Sequence, residues 1–576
     1  MKIKKIEITN YRNLDGITAY FSSDCNFIVG ENNVGKSNLL SILNTVFNFS
    51  SFRIEDFYDE TQPIEIKLQL ELVDIELGLF QDLFTIDNYS IINITCRQNT
   101  ADDNIEFFHE ETNTFIQPSV IRCINFVYYD SLRNPIAEIN FDKGRGVGRF
   151  LRNIIAQYLI GNGISEQDFY KKGQVNALLK EVNGKFSKIK SFTDFNIHAA
   201  LDDDMESQLS KAVILKDGND ANLVKAGYGI QYLLLITLAI LEKIQLINRQ
   251  KRERGIFIDE VSEKKSISLI LALDEPEIHL HPYMQRSLIN YINLIISNQN
   301  IEFSQLIKEM FDIDFFNGQI IIVTHSPSCL LNDYKQIHRM YSDKGKTKII
   351  SGTQLSLTRQ QQKHLYIQFP FIKEAFFARS VIFVEGDTEF SSFPYFAKKM
   401  GINFDDLGIC LIQGHGEKAI PVLIELANDF GIPSIGISDK DTKNSRPTTP
   451  NHLFTTKRDF ESEIVALVNK GKINVLENIL TNYDSSGFER FLEKEALNSK
   501  AFTKFHVVKK PFTSGLKYSE IDKTNTVDLI AYLLTWFAIN KSYPLGIIIG
   551  EELKKEDIPS VYKKVILSSR KIIKHA

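Results

Sequence analysis

Cys25-Asn-Phe-Ile-Val29 runs directly into Gly30-Glu-Asn-Asn-Val-Gly-Lys-Ser37, an apolar strand followed by G-x-x-x-x-G-K-S, and residues 38–47 continue with helical character. Gly30 and Gly35, with Asn33 between them, let the backbone wrap a phosphate with its N–H groups. Lys36 is spaced to reach the β and γ phosphates, and the Ser37 hydroxyl can ligate Mg²⁺. A chance glycine-rich turn would lack the strand before and the helix after. The stretch predicts an α/β fold that binds ATP.

Outward from this loop, Ser268-Leu-Ile-Leu-Ala-Leu273 carries no charge and reads as a strand buried on both faces, as in a parallel sheet. It ends in Asp274-Glu275-Pro276-Glu277. Asp274 is placed to hold Mg²⁺ through water, and Glu275 to polarise the water that attacks the γ-phosphate. A second such strand, Gln319-Ile-Ile-Ile-Val323, stops at Thr324-His325-Ser326, where the imidazole of His325 can sense that phosphate. The pair His279 and His281 suggests zinc only weakly, because no Cys or further His lies close by in sequence.

The C-terminal third carries a second chemistry. Ser380-Val-Ile-Phe-Val-Glu-Gly-Asp-Thr-Glu389 reads as a buried strand ending at Glu385, with Glu389 one helical turn on. Ile435-Gly-Ile-Ser-Asp-Lys-Asp441 reads as another apolar strand, with Asp439 and Asp441 on one face because strand residues alternate. Four carboxylates converging at the ends of adjacent parallel strands would repel one another without a divalent cation, and hard oxygen ligands suit Mg²⁺ or Mn²⁺. For either run alone, surface acids at a strand end are the simpler reading; the ordered pair is much harder to obtain by accident. Between them, Ile409-Cys-Leu-Ile412 reads as a middle strand and 419–430 as the crossover helix. Asp459-Phe-Glu461-Ser-Glu463 opens a helix, where acids also suit the macrodipole.

The Glu385-Gly386 and Asp439-x-Asp441 motifs, in that order, resemble the Toprim fold of topoisomerases, primases and a group of nucleases. Asp274-Glu275-Pro276-Glu277 with Thr324-His325-Ser326 looks like an ABC-type ATPase head of the RecF and SMC kind, and Ile8-Thr-Asn-Tyr-Arg-Asn13 resembles the opening strand of such heads. Ala226-Gly227-Tyr228-Gly229-Ile230-Gln231, before a helix at 232–247, resembles their signature loop, with Ala226 in place of the usual serine. An ABC head followed by Toprim in one chain is similar to the OLD (overcoming lysogenization defect) family of ATP-dependent nucleases, whose members include the Gabija nuclease subunit and retron-associated effectors.

The resemblance implies an ATP-regulated, divalent-metal-dependent DNA endonuclease of a prokaryotic anti-phage system. Glu385 is then catalytic and a metal ligand, with Glu389, Asp439 and Asp441; Glu461 is the first choice for a further ligand and Glu463 the second. Lys523 is matched to the family's catalytic lysine, although taken by itself it reads as an exposed lysine. Gly227 and Gly229 complete the nucleotide site of another protomer, implying a homodimer or higher oligomer. Implied partners are double-stranded DNA and a helicase or a retron reverse transcriptase with its nucleic acid. The alternative is an ATP-dependent DNA clamp or sensor whose Toprim domain holds a partner without cleaving; the intact acid set argues against it.

At 576 residues the chain has length for about three or four domain-sized units, and 43% hydrophobic with 24% charged residues are globular values. The division expected is an ATPase domain over 1–365, with an insertion at 138–222 of the kind that dimerises in the family, and a Toprim domain with a helical extension over 366–576. Five scattered cysteines without Cys-x-x-Cys spacing argue against a disulfide framework. No signal-peptide core opens the chain and the longest apolar run is too short for a bilayer, so a cytoplasmic protein without membrane contact is expected. A net charge of −5 argues against a general polyanion-binding coat. DNA contacts must then come from local patches, for which Lys509-Lys510 and the tail from Lys563 to Lys574 are candidates, with solvated helix faces as the plainer reading of the tail.

Overall fold

The computed structural model describes residues 1–80, 90–130, 154, 158, 161–162, 172–188, 198–201, 213–216, 228–250, 255–259, 261–278, 280–414, 419–441, 451–487 and 489–575. Ala226 and Gly227 of the expected signature loop, His279 and most of the expected insertion lie outside these residues. The chain divides into two compact units, Met1–Gln354 and Leu355–Ala576.

The first unit opens with β1 (Lys2–Thr9), β2 (Ile17–Tyr20), β3 (Cys25–Gly30), α1 (Lys36–Asn48), β4 (Ile64–Glu71), β5 (Ile91–Gln98), β6 (Glu106–His109) and β7 (Asn125–Tyr129). After α2 (Lys172–Phe186) and the hairpin of β8 (His198–Leu201) and β9 (Val213–Lys216) come α3 (Tyr228–Gln250), β10 (Ile256–Ile258) and β11 (Lys265–Asp274). The unit ends with α4 (Pro282–Ile296), α5 (Ile301–Phe311), β12 (Phe315–Val323), β13 (Ile337–Asp343) and β14 (Lys346–Ser351).

Two sheets result. One is antiparallel, ordered β2-β1-β4-β5-β6. In β4 every second residue, Ile64, Ile66, Leu68 and Leu70, is buried, as its strict alternation demands. The other is seven-stranded, ordered β10-β11-β12-β3-β13-β14 with β7 also on β11. Its centre is parallel: β12 pairs with β11 and β3, and β13 with β3. The uncharged run of β11 is buried from Ser266 to Asp274, because strands cover both its edges and layers cover both its faces. Helix α1 buries Leu39, Leu40, Ile42, Leu43, Val46 and Phe47 in a core shared with both sheets. Each such side chain contributes roughly 1.5–3 kcal/mol, so the helix that starts at the phosphate loop is firmly anchored.

The second unit begins with α6 (Arg359–Ile372), within a stretch whose polarity reads as a connection, and continues with β15 (Ser380–Val384), α7 (Asp387–Lys399), β16 (Ile409–Gln413), α8 (Ala419–Asp429), β17 (Ser434–Ser438) and β18 (His452–Phe454). Then follow α9 (Phe460–Val465), α10 (Ile473–Tyr483), the short pair β19 (Phe491–Leu492) and β20 (Leu516–Lys517), α11 (Thr526–Ile539), α12 (Tyr543–Glu552) and α13 (Ser560–His575). The sheet is ordered β16-β15-β17-β18 and is parallel throughout. The strands that end at Glu385 and Asp439 are therefore neighbours, and the carboxyl ends of both face the same way. Ile409–Gln413, a middle strand in chain order, lies at the sheet's edge. Residues of α7, α9, α11, α12 and α13 form one core with the sheet, around the fully buried Trp536.

Candidate active sites

The nucleotide loop is shaped by backbone before any side chain acts. Gly30 has φ +134°, and a Cβ there would lie 1.8 Å from the Met340 carbonyl oxygen of the neighbouring strand, so only glycine fits. Asn33 is also left-handed, at φ 64°, and Gly35 caps α1 at φ 92°. The Lys36 ammonium is almost fully buried and donates to the carbonyls of Gly30 at 3.0 Å and Glu31 at 2.5 Å. Burial lowers its pKa to about 8 against the opposing pull of Glu275 and Asp274. The Ser37 hydroxyl donates to Asp274 at 3.0 Å, which joins the loop to the end of β11. Burial raises the Asp274 carboxyl to about 6.

Glu275 is held at φ 48° with its N–H bonded to the Val323 carbonyl at 2.8 Å, a left-handed conformation at a non-glycine residue. His325 Nε2 lies 3.2 Å from Glu275 Oε1, and the His325 N–H donates to Glu277 at 2.6 Å. Burial, then the charge of Lys36, keeps His325 below its ordinary pKa. Gly30, Asn33, Gly35, Lys36, Ser37, Asp274, Glu275 and His325 thus stand around one loop. Gly229 lies in the first turn of α3. Two residues read only as part of an opening strand also belong here: Arg12, at φ 41°, donates to Asn38 at 2.7 Å and pairs with Asp56 at 2.7 Å, and Asn13 accepts from Asn38 at 2.8 Å.

In the second unit Glu385 accepts the N–H of Asp439 at 3.2 Å, tying the ends of β15 and β17. Asp439 in turn accepts the N–H of Phe460 at 3.1 Å, which brings the start of α9 and Glu461 to the same place. Glu389 folds back over Gly386, where a Cβ would meet its Oε2 at 2.9 Å. The Glu-Gly pair is thereby explained: the acid ends the strand and the glycine leaves room for the second acid. Glu389 and Glu461 are buried. Burial, followed by the charges of Glu461 and Glu385, raises the Glu389 carboxyl; burial, followed by Glu389, Glu385 and Glu461, raises Asp439. Burial likewise raises Glu461.

One cation offsets these acids. Lys541, between α11 and α12, lies 2.8 Å from Glu461 Oε2 and is also drawn by Glu389 and Asp439. Among the described residues it is the lysine that the fold brings to these acids. Lys523, to which that role was matched, is more than half exposed and ion-paired to Glu477 on α10, whose carboxylate also accepts the Tyr518 hydroxyl at 3.1 Å. Lys541 precedes the Ser542 cap and Pro544 of a new helix, and nothing in that stretch of sequence signals the acids it meets. Asp441 is only partly buried and lies 3.6 Å from Arg458, and Glu463 accepts the Thr456 hydroxyl at 2.6 Å and the Lys457 N–H at 2.8 Å, so both are engaged beside the cluster rather than within it.

The donor set of Glu385, Glu389, Asp439 and Glu461 consists of hard oxygens with excess negative charge, which fits a divalent cation. Among the described residues, no group of three or more His, Cys, Asp or Glu side chains stands in the arrangement of a metal site. In this structure the Asp439 and Phe460 N–H groups and the Lys541 ammonium engage oxygens of Glu385, Asp439 and Glu461.

Comparison with known proteins agrees with this architecture. A family model described as an AAA ATPase domain matches residues 1–143 and 162–330, more than half of the chain, and one described as the overcoming lysogenization defect protein-like TOPRIM domain matches 376–441. The Old nuclease of Escherichia phage P2 is 22% identical over 568 residues, covering 88% of this chain and 87% of that one. Among solved structures, an Smc head bound to the C-winged helix domain of ScpA aligns at 16% identity and TM-score 0.37 over 62% of this chain and 99% of that one. The C-terminal region of the Xanthomonas campestris pv. campestris OLD protein aligns at 19% identity and TM-score 0.23 over 35% of this chain and 96% of that one. Fold and family matches define the class, an ATPase domain followed in the same chain by a Toprim domain. The chain belongs to the AAA ATPase domain family, and its second part is similar to the overcoming lysogenization defect protein-like TOPRIM domain and, with the whole chain, to the Old nuclease. No helix among the described residues is long and apolar enough to cross a membrane.

Proposed function

We propose that the chain is an ATP-regulated, divalent-metal-dependent endonuclease acting on double-stranded DNA, of the kind deployed in prokaryotic anti-phage defence. The observation that carries the reading is the set of buried and half-buried acids at the ends of two adjacent parallel strands, with Lys541 among them. Surface acids at strand ends would be solvated and would keep ordinary pKa values; these are desolvated and crowded, which marks functional sites.

Glu385, Glu389, Asp439 and Glu461 are the residues that would hold Mg²⁺ or Mn²⁺, with Asp441 at the rim. A divalent ion bound there supplies Lewis-acid polarisation of the scissile phosphate and a water of lowered pKa. Lys541, beside Glu461, is the residue that would stabilise charge building on the cleaved phosphate. In the other unit Lys36, now bonded to the Gly30 and Glu31 carbonyls, is the residue that would bind phosphate oxygens, Ser37 and Asp274 would hold Mg²⁺, and Glu275, beside His325, would position the attacking water. Gly227 and Gly229 are assigned to the nucleotide site of a second protomer, so the active species is a homodimer or higher oligomer.

Plasmid nicking by repurified protein tests the reading. Cleavage in Mg²⁺ or Mn²⁺ that is lost in Asp439→Ala supports it; cleavage by Asp439→Ala at the unmodified rate would leave a non-cleaving DNA clamp or sensor as the better account.

A further inference from the structure

Strand β16 forms one edge of the second unit's parallel sheet. Gly408 accepts the Ser380 N–H and Gly414 donates to Val384, so even-numbered residues of this stretch direct their backbone groups toward β15. The N–H and C=O groups of Ile409, Leu411 and Gln413 consequently point away from β15, on the side where no strand is paired among the described residues. Protein edges are ordinarily guarded by a charge, a proline or a bulge. Ile409-Cys-Leu-Ile-Gln413 has no charge and no proline, and its register with β15 is unbroken.

Beside this edge lies a groove of about 760 Å³, lined on its apolar side by Phe390, Pro394, Phe404, Leu411 and Tyr543. Pro394 and Tyr543 are exposed, and Phe390 and Leu411 are half-buried. At the rim, exposed Glu374, Asp405 and Asp406 face a single lysine, Lys398. The groove thus offers what strand addition needs: unpaired backbone groups for affinity, apolar space for alternate side chains and a charge pattern that selects the guest.

We propose that the β16 edge binds an extended, basic segment of a partner protein, which adds as a fifth strand, places alternate apolar side chains among Phe390, Phe404 and Leu411, and sets Lys or Arg against Glu374, Asp405 and Asp406. The strand's length admits about five to seven residues of guest.

A fluorescent heptapeptide, Lys-Val-Lys-Phe-Lys-Val-Lys, titrated into the full chain provides the test, read by anisotropy and by hydrogen exchange of the Ile409, Leu411 and Gln413 amides. Saturable binding is expected, with slowed exchange at those three amides. Affinity should fall at least about tenfold in Asp405→Lys/Asp406→Lys, and likewise for the peptide N-methylated at alternate residues, while unchanged near-ultraviolet circular dichroism of Trp536, the chain's single tryptophan and buried in the second unit, reports that the variant is folded. Equal binding of the peptide with Glu in place of Lys, equal binding by the charge-reversed variant, or unchanged exchange at the three amides overturns the proposal. So does slow, concentration-dependent exchange in the peptide-free chain, which would mean that a second copy covers the edge.

Discussion

The two candidate sites are built by opposite means. Around Lys36, contiguous residues shape a loop whose backbone is already wrapped, and the lysine is satisfied by carbonyls five and six residues away. Around Asp439, carboxylates from β15, α7, β17 and α9 and a lysine between α11 and α12 meet from positions spread over more than 150 residues. The first is preorganised by local geometry. The second stores like-charge repulsion, relieved in part by Lys541 and by raised proton affinity. The nucleotide loop is thus written into one segment, whereas the acidic cluster exists only once the whole unit has folded.

The sharpest way to break the contrast is to remove one acid. Asp439→Ala is expected to reduce DNA cleavage more than about 10³-fold, some 4 kcal/mol of transition-state stabilisation, while phosphate release from ATP stays within about twofold, measured side by side on one preparation. A parallel loss of both activities would show that the two centres are not separable.

Next in size is the lysine. Lys541→Met should lower cleavage by about 10² to 10³-fold, as for the loss of one charge-stabilising donor, whereas Lys523→Met, which breaks a partly exposed ion pair with Glu477, should leave it within about twofold. The reverse ranking in a single-turnover cleavage assay would restore Lys523 to the site.

In the other unit, Glu275→Gln is expected to keep ATP binding and to slow hydrolysis about 10²-fold, the contribution of a positioned base. Unchanged turnover would remove Glu275 from that role.

The smallest effects are on stability, and they should have opposite signs in the two units. His338, fully buried on β13 with Nε2 2.9 Å from Asn26 of β3, is held by burial at about 3, against 6.5 when exposed. Its neutral form is favoured by folding, so stability is lost as pH falls below 6.5; by pH 5 the first unit should be weaker by about 2 kcal/mol. Glu389 is raised above its ordinary 4.5, so its contribution is present below that value and is lost as pH rises through its folded value. Without divalent cations the second unit should therefore weaken between the carboxylate range and neutrality, and Mg²⁺ should reverse this. Urea titrations of Asp439→Asn and His338→Asn across this range would separate the two trends.

Much was legible in the sequence because it depends on neighbours along the chain. Gly30, Gly35, Lys36 and Ser37 stand where a strand–loop–helix puts them, and the uncharged β11 announced its own burial and the position of Asp274. Glu385 and Asp439 were legible as strand ends. Tertiary structure alone decided that Lys541 and not Lys523 joins the acids, that Glu463 is spent on the Thr456–Lys457 loop, that Arg12 and Asn13 join the nucleotide loop, and that β16 is an edge. The physical reason is that periodicity and glycine placement report a residue's local conformation and burial, while the partner of a charge and the neighbour of a strand are set by packing between segments far apart in the chain.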